Sequence, residues 1–428
     1  RDRDSCGNRR LRATDRLMAQ EHAVNLTINT GDAPVAIDVW SRYTVTLTML
    51  GAGQPWSFVF WRSTVADTTW QALARQAKLL ARVQLSIDGA PQLSGYLEEL
   101  DRGTSEDRNA GMTAAIGGRD LAGLAMDFDA SPRTAFRGVQ LQQALSDAFS
   151  AFGVPVRVTE AAAAREIQTR GRPGAAGAAR SPRRKHVDIM RPKAGETVWT
   201  YAQSIVRRLG YLMWVAPTAD GSIGLVVDVP DYAQVPLWTF RRTIGHGTFG
   251  STGNILSGRE VFSIKGVPTD VSVYTGTARG NGLSARAKYS GANPKLFDRA
   301  ITRGFISSYL PVLAKHIRSG RSRDVSAATK EHERVIADAM TSFRRYRLRV
   351  QGHGQIVNGV MRLYAVNTMA NVLDEYLIDD DGQPLREAML VTDVEFIGSR
   401  GSGESAGQYT NITLAPKNSI TVTPTGDQ

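Results

Sequence analysis

Alternating hydrophobic and polar positions predict β-strands over the first part of the chain. In SRYTVTLTML the larger apolar residues fall on one face and the threonines on the other, and PWSFVFW follows as a second strand. TTWQALARQAKLL has helical periodicity, with Thr68 or Thr69 as its cap. ARVQLSIDGAPQLSGYLEEL predicts a hairpin turning at Asp88-Gly89, before another strand in MTAAIGGRD. We therefore expect a small antiparallel barrel or sandwich with one helix.

The middle of the chain has a different character. LQQALSDAFSAFG predicts an amphipathic helix ending at Gly153, and GETVWTYAQSIVRRLG predicts another ending at Gly210. YLMWVAPTADGSIGLVV predicts a hairpin turning at Asp220-Gly221. Between the helices, residues 161–186 are rich in Ala, Gly and Arg and lack hydrophobic periodicity. That composition predicts a disordered-looking, mobile loop.

Strand patterns return from residue 241 onward. REVFSIKG, DVSVYTG, RRYRLRVQGHG, MRLYAVNTMANVLD and YTNITLAP predict strands, and EYLIDDDGQPLREAMLVTDVEFIGS predicts a long hairpin turning at DDDG. DVSAATKEHERVIADAMTSF predicts a long helix over residues 324–345. Both β regions thus contain strands, one helix and further strands. This order indicates a duplicated architecture without a residue-level repeat.

The charge of the chain favours anionic partners. Its 428 residues carry a formal net charge of +11, and only a small part of this excess comes from residues 1–17. A basic field attracts polyanions and acidic proteins in general. The cluster RSPRRKH makes Arg180, Arg183, Arg184 and Lys185 candidates for contact with a polyanion or a partner protein, but it has no aromatic residues for base stacking. A nucleic-acid-binding module is therefore one alternative.

The sequence predicts neither a disulfide framework nor a membrane span. Its single cysteine, Cys6, lies in the polar segment 1–17, which lacks the apolar core of a secretory signal and is predicted to be a flexible N-terminal arm. The longest apolar run, YLMWVA, is far too short to cross a bilayer. Stability must therefore come from packing or from assembly.

Three motifs resemble ligand sites but lack essential features. GHGTFG, at 245–250, has the glycine spacing of a dinucleotide-binding site. Such a site needs a helix directly after the motif to bind the phosphates, and further glycines interrupt the segment that follows here. His332-Glu333 begins a zinc motif whose second histidine is replaced by Ile336, so we expect an exposed helical histidine. DDDG lacks the ligand spacing of a calcium loop. His353, in a second GHG, is a ligand only if further ligands converge on it. No cofactor and no metal site is expected.

Several motifs occur in an order that resembles phage baseplate hub proteins. IDGAPQLSGYLEEL resembles their I-D-G-x-x-x-x-x-G-Y hairpin, and AIGGRDLAGLAMDFDAS resembles a strand followed by G-R-D and a D-L-V-D-like segment. AGETVWTYAQSIVRRLGYLMWVAPTADGSIGLVV is similar to their G-E-T helix and D-G hairpin, and NILSGREVFSIKGV and NITLAPKNSI continue the match. The motifs are similar to those of the hub of bacteriophage Mu and, more distantly, to those of the hub part of type VI secretion spikes. A longer insertion at 161–186, and KGVPTD where K-G-Q is usual, are departures.

The resemblance implies a fold class and a domain division. It implies an α+β, mostly β protein with two tube-like antiparallel β-barrel or sandwich domains plus a smaller α+β module. The predicted parts are a flexible arm (1–17), the first tube-like domain (18–128), the α+β module with its loop (129–240), the second tube-like domain with its long helix (241–405), and a C-terminal strand and tail (406–428).

The resemblance also implies a role without chemistry. Such a hub is a homotrimer in the tail baseplate of a virion, assembled in the host cytoplasm. It joins the tail tube protein to the central spike protein, beside other baseplate and tape-measure proteins. The basic excess suits either an acidic partner surface or a lumen through which DNA passes. Two similar domains in each of three chains present six similar surfaces. The enzymatic alternative is a tail-associated cell-wall hydrolase, for which Glu98, Glu99 and Asp101 are the candidate carboxylates.

Overall fold

The structure is a computed structural model. It describes residues 21–29, 34–62, 66–104, 112–131, 140–159, 162, 192–218, 220–244, 251–263, 267, 270–276, 285–292, 314–319, 329, 332–333, 335–336, 343–378, 383–400 and 407–420.

The first strand group contains seven strands and one helix. These elements are β1 (Val24–Asn29), β2 (Pro34–Ile37), β3 (Arg42–Thr48), β4 (Pro55–Trp61), α1 (Asp67–Gln76), β5 (Arg82–Ile87), β6 (Ala90–Thr104) and β7 (Met112–Asp120). Asp88 and Gly89 both have positive φ, 52° and 78°, which confirms the predicted hairpin turn between β5 and β6. The predicted threonine cap of α1 is wrong, because the helix begins after Ala66 and has no side-chain cap.

The described part of the middle module includes three helices of five or more residues and a small sheet. Its elements are α2 (Gly123–Asp127), α3 (Leu141–Phe149), β8 (Val156–Val158), α4 (Val198–Arg208), β9 (Leu212–Pro217) and β10 (Ile223–Asp228). A short 3-10 turn extends α3 to Phe152, and Gly153 ends it in the left-handed conformation at φ 63°, as predicted. The side chain of Thr197 caps α4 by accepting a hydrogen bond from the amide of Thr200 (3.2 Å).

The remaining elements follow in one run. They are β11 (Trp238–Ile244), β12 (Ser251–Gly253), β13 (Ile255–Phe262), β14 (Asp270–Gly276), β15 (Ala285–Ala292), β16 (Ala314–Ser319), β17 (Arg344–Gln351), β18 (Gly354–Val357), β19 (Val360–Leu363), β20 (Met369–Ile378), β21 (Pro384–Ser399) and β22 (Gly407–Pro416). The second strand group consists of β11–β13, β17 and β20–β22. Strands β14–β16 form a separate three-stranded sheet, and β18 and β19 form a hairpin.

The two strand groups repeat one strand order within a single 14-stranded sheet. The first runs β3-β4-β7-β6-β5-β1-β2, and the second runs β13-β17-β22-β21-β20-β11-β12. Five strands of each group match in order and direction. The terminal hairpin is inverted, because β1 is antiparallel to β5 whereas β11 is parallel to β20. Both long strands carry a bulge at the same place, between Leu97 and Glu99 in β6 and between Val391 and Asp393 in β21.

Strand β9 lies between two hydrophobic cores. Leu212 and Trp214 face the core shared by the two strand groups, whereas Met213 and Val215 face the core of the middle module. A strand buried on both faces has no polar alternation. This explains why YLMWVA is the longest apolar run in the sequence.

The α+β, mostly β fold class is confirmed, and the domain boundaries stay a prediction. Residues 1–17, GHGTFG, DDDG and all of 161–186 except Ala162 lie outside the described residues. Within the predicted helix 324–345, the described residues Thr329, His332, Glu333, Val335 and Ile336 are helical. The predicted end of this helix is wrong, because Phe343 lies in a turn and strand β17 already begins at Arg344. His332 is only 5% exposed, so the expectation of an exposed histidine is wrong. The side of the helix that carries His332 packs inward, and the spacing of apolar residues around it does not indicate this.

Candidate assembly interface

A backbone ladder joins the two strand groups. Strands β21 and β3 pair antiparallel, from Asp393 opposite Thr48 to Ser399 opposite Arg42. Hydrogen bonds from Met49 N to Thr392 O (3.0 Å) and from Arg400 N to Ser41 O (2.9 Å) extend the ladder at both ends. The units predicted as two domains therefore share one sheet. We call this ladder the junction.

The inward face of the junction is apolar and closely packed. Val394 and Phe396 of β21 lie opposite Leu47 and Val45 of β3, and all four are at most 2% exposed. Gly398 lies opposite Tyr43, and a Cβ atom at this glycine would come within 2.1 Å of the tyrosine ring. Only glycine fits beneath that ring. The junction thus behaves as continuous protein core.

A buried polar cluster lies behind the junction. The Thr410 hydroxyl donates to the Gly352 carbonyl (2.6 Å), so it accepts from Nδ1 of His353 (3.0 Å). The remaining nitrogen, Nε2, then accepts from the hydroxyl of Tyr43. Burial, followed by the proximity of His22, lowers the pKa of His353 to about 3. His353 is thus a neutral core histidine with every ring nitrogen satisfied.

The same cluster ties the start of β1 to the second strand group. Nε2 of His22 accepts from the amide of His353 (3.0 Å), and its Nδ1 contacts Asp88 Oδ2 (2.6 Å). The backbone of His22 makes two hydrogen bonds with the side-chain amide of Gln408 (2.6 and 2.8 Å). The cluster therefore holds together segments that are far apart in the sequence.

A second buried polar cluster lies within the second strand group. Asp374 is fully buried and receives two hydrogen bonds from Arg242, Nε to Oδ1 (2.9 Å) and one terminal nitrogen to Oδ2 (2.7 Å). The hydroxyl of Tyr346 donates to the same carboxylate. Burial raises the pKa of this hydroxyl, which keeps it protonated as a donor. The cluster connects β11, β17 and β20.

The candidate hydrolase carboxylates are not arranged as an acid and base pair. Both oxygens of Glu98 accept from Arg119 (2.8 and 2.9 Å), which also contacts Asp127. Glu99 and Asp101 are exposed on β6. Because its arginine partner neutralises Glu98 and occupies both of its oxygens, this group is poorly suited to protonating a leaving group.

Other candidate site residues are not brought together. Arg180, Arg183, Arg184 and Lys185 lie outside the described residues, so their predicted contact with a polyanion or partner stays a prediction. Among the residues that are described, no group of three or more His, Cys, Asp or Glu side chains could hold a metal ion. No helix in that part of the chain is long and apolar enough to span a membrane.

Sequence reasoning missed the junction. The residues that form it, such as Phe396 and Val45, show only the alternation common to half-buried strands. The lengths of two strands could have indicated the junction. β6 and β21 span 15 and 16 residues and extend beyond their hairpin partners. A strand that extends past its partner leaves an edge for another strand.

Solved structures of tail proteins have similar folds. The tail protein from Neisseria meningitidis MC58 matches with a TM-score of 0.64 at 18% identity, over 94% of this chain and 98% of that chain. The 43 kDa tail protein of prophage MuSo2 from Shewanella oneidensis matches with a TM-score of 0.64 at 15% identity, over 94% and 100%. A chain of the lidded Francisella PdpA-VgrG complex matches with a TM-score of 0.51 at 8% identity, over 94% of this chain and 54% of that chain.

Sequence comparison adds no closer relationship. No family model matches the sequence, and neither does any curated protein. The structural matches span nearly the whole chain, so they concern the complete arrangement of strand groups and middle module. The resemblance predicted from the ordered motifs is therefore confirmed at the level of the fold: the chain has the fold of these tail proteins.

Proposed function

We propose that this chain is a non-enzymatic baseplate hub of a contractile phage tail. Three copies form a ring that adapts a six-fold tail tube to a three-fold central spike. One observation carries the proposal: two strand groups with the same strand order are joined edge to edge within one chain. Three such chains offer six similar units, which resolves the mismatch of symmetry.

The described clusters support a scaffold rather than an enzyme. Buried polar groups around His353 and Asp374 bond to one another, and their partners come from distant strands. Such clusters rigidify a unique arrangement of strands. The hydrolase alternative gains no support, because Glu98 is held by Arg119.

Partner contacts follow from the ring. One rim faces the tail tube protein and the other the central spike protein, through broad surfaces of the size typical of stable complexes. The net charge of +11 suits acidic partner surfaces or a lumen through which DNA passes. The site of action is the tail baseplate of the virion.

Counting copies in purified tails tests the proposal. Quantitative mass spectrometry, with isotope-labelled peptides of this chain and of the tube protein, should give three copies of this chain for each six-membered tube ring at the baseplate. Six copies, or absence from the tail, would contradict the hub. Release of soluble fragments from purified peptidoglycan, lost in Glu98→Gln but retained in Asp101→Asn, would favour the hydrolase.

A further inference from the structure

We infer that adjacent copies of this chain join by antiparallel pairing of two open strand edges. One is the outer edge of β6 over Leu100–Thr104, and the other is the outer edge of β13 over Gly258–Phe262. The partner of each edge is a second copy of this chain. The inference deepens the proposed function, on which closure of the ring at three copies rests.

Both edges are open within the described part of the chain. Over Leu100–Thr104, β6 pairs with β7 on one side, while β5 reaches only to Tyr96 on the other. β13 pairs with β17 on one side and has no ladder on its other side. A row of unpaired backbone groups is a template for a strand of another chain.

The junction shows how such edges fit. It pairs the extended half of β21 with β3. In the first strand group β6 takes the place of β21, and in the second group β13 takes the place of β3. The pairing of β21 with β3 is therefore one of two equivalent strand pairings. The second would pair β6 of one copy with β13 of another copy.

The shared bulge sets the register. The bulge after Leu97 in β6 corresponds to the bulge after Val391 in β21, so Arg102 takes the place of Phe396. From the bulge in β6, the paired residues lead through β7 and β4 to Val45 in β3. From the bulge in β21, they lead through β22 and β17 to Glu260 in β13, so Glu260 is the residue equivalent to Val45. Since Val45 lies opposite Phe396 in the junction, Glu260 should lie opposite Arg102 of the neighbouring copy.

The side chains in this register are complementary. Arg102 is exposed and also contacts the carbonyl of Leu73 (3.5 Å). Glu260 pairs with Arg344, which also pairs with Glu387 (2.9 Å), so this trio carries one negative charge in excess. A cation from the neighbouring copy would neutralise it.

An apolar pair adjoins the charged one. In the same register Leu100 takes the place of Val394 and Phe262 the place of Leu47, so Leu100 should lie opposite Phe262 of the next copy. Phe262 is 40% exposed, and Leu100 is only partly buried. The equivalent junction residues are buried core. Pairing between copies would therefore cover two apolar side chains that the single chain leaves in contact with water.

Charges at inward positions also explain why the edges are specific. Inward-pointing charges keep open strands from pairing with any available edge. Because a slip of one residue turns every side chain to the other face, Arg102 meets Glu260 only in the inferred register. Oppositely charged residues thus discourage unspecific aggregation while favouring one partner.

Engineered disulfides test the register. In a Cys6→Ser background, Leu100→Cys combined with Phe262→Cys should give a ladder of cross-linked species that ends at the trimer on a non-reducing gel. The matched control combines Leu100→Cys with Arg259→Cys, which places the second thiol on the other face of β13. Cross-linking of the control pair as efficient as that of the test pair would overturn the register.

Charge reversal tests the pairing without a new covalent bond. Arg102→Glu should raise the midpoint concentration for association about 30-fold or more, measured by analytical ultracentrifugation. The combination of Arg102→Glu with Glu260→Arg should recover much of this loss. Arg157→Glu, at an exposed ion pair with Asp220, is the control and should leave association unchanged. Thermal unfolding of each variant verifies that the fold is retained.

The outcomes separate this inference from the proposed function. Three copies per tail with no cross-link between positions 100 and 262, in tails or in solution, would overturn the edge pairing and leave the hub proposal standing. A cross-linked ladder that stops at the dimer or continues past the trimer would support the pairing and contradict the three-copy ring.

Discussion

The buried histidine of the polar cluster predicts how stability depends on pH. His353 has a pKa of about 3 in the folded chain, against 6.5 when it is exposed in the unfolded chain. Below pH 6.5 the unfolded chain binds a proton that the folded chain excludes. Stability contributed by the neutral ring is therefore complete above pH 6.5 and is lost as the pH falls toward 3, at about 1.4 kcal/mol per pH unit. Between pH 7.5 and pH 5 the loss amounts to about 2 kcal/mol.

Replacement by phenylalanine isolates this contribution. His353→Phe removes the hydrogen bonds to Tyr43 and Thr410, so at pH 7.5 the variant should be less stable by about 2 kcal/mol. Phenylalanine does not take up the proton, so the difference in free energy of unfolding between the two proteins should shrink by about 2 kcal/mol at pH 5. Asp120, whose pKa burial raises to about 7, changes stability in the opposite direction, but it is present in both proteins and cancels.

Urea unfolding followed by tryptophan fluorescence at pH 7.5, 6 and 5 measures the gap. The flanking residues His22 and Asp88 are unchanged in both proteins. A gap that stays constant within about 0.5 kcal/mol over this range would refute the assignment of His353 as a buried neutral histidine.

Three further predictions concern the other buried groups. Asp374→Asn should lower the free energy of unfolding by about 3 kcal/mol, because it leaves the partly buried Arg242 without its countercharge, whereas Asp220→Asn at an exposed turn should have little effect in the same urea titration. Phe396→Ala should cost about 3–5 kcal/mol by opening a cavity in the junction, and Ile378→Ala, at an exposed position, should cost much less by thermal unfolding. As the pH falls from 7.5 to 5, wild type should gain about 2.5 kcal/mol of stability relative to Asp120→Asn, because a carboxyl with a folded pKa of about 7 takes up its proton first in the folded chain; an equal pH dependence of the two proteins would contradict this.

Local patterns were sufficient for much of the secondary structure. The Asp88-Gly89 turn and the helix stop at Gly153 depend on backbone conformations that neighbouring residues dictate. The alternation in β3 and β21 marks an inward face wherever the strand is placed. The ordered motifs added the fold, because their sequence along the chain reflects the sequence of elements.

Candidate sites were less predictable. His353 would be a ligand only if further ligands converged on its glycine-rich turn, and its actual partners are His22 and Tyr43, which lie 331 and 310 residues away. Glu98 was a catalytic candidate only under the hydrolase alternative, and the sequence does not show that Arg119 binds both of its oxygens. Whether a polar residue is a ligand, a catalyst or a core group depends on neighbours that the local sequence does not contain.

The sequence by itself determined which segments become strands and helices, because periodicity and turn chemistry act over a few residues. Only the tertiary structure decided which edges meet. Any exposed edge can accept a strand, and the choice of β3 for β21 depends on how Tyr43 fits over Gly398 and on how Val45 packs beside Phe396. These are contacts between residues about 350 positions apart. Complementary packing over such a separation leaves no signature in a local pattern of hydrophobic and polar residues.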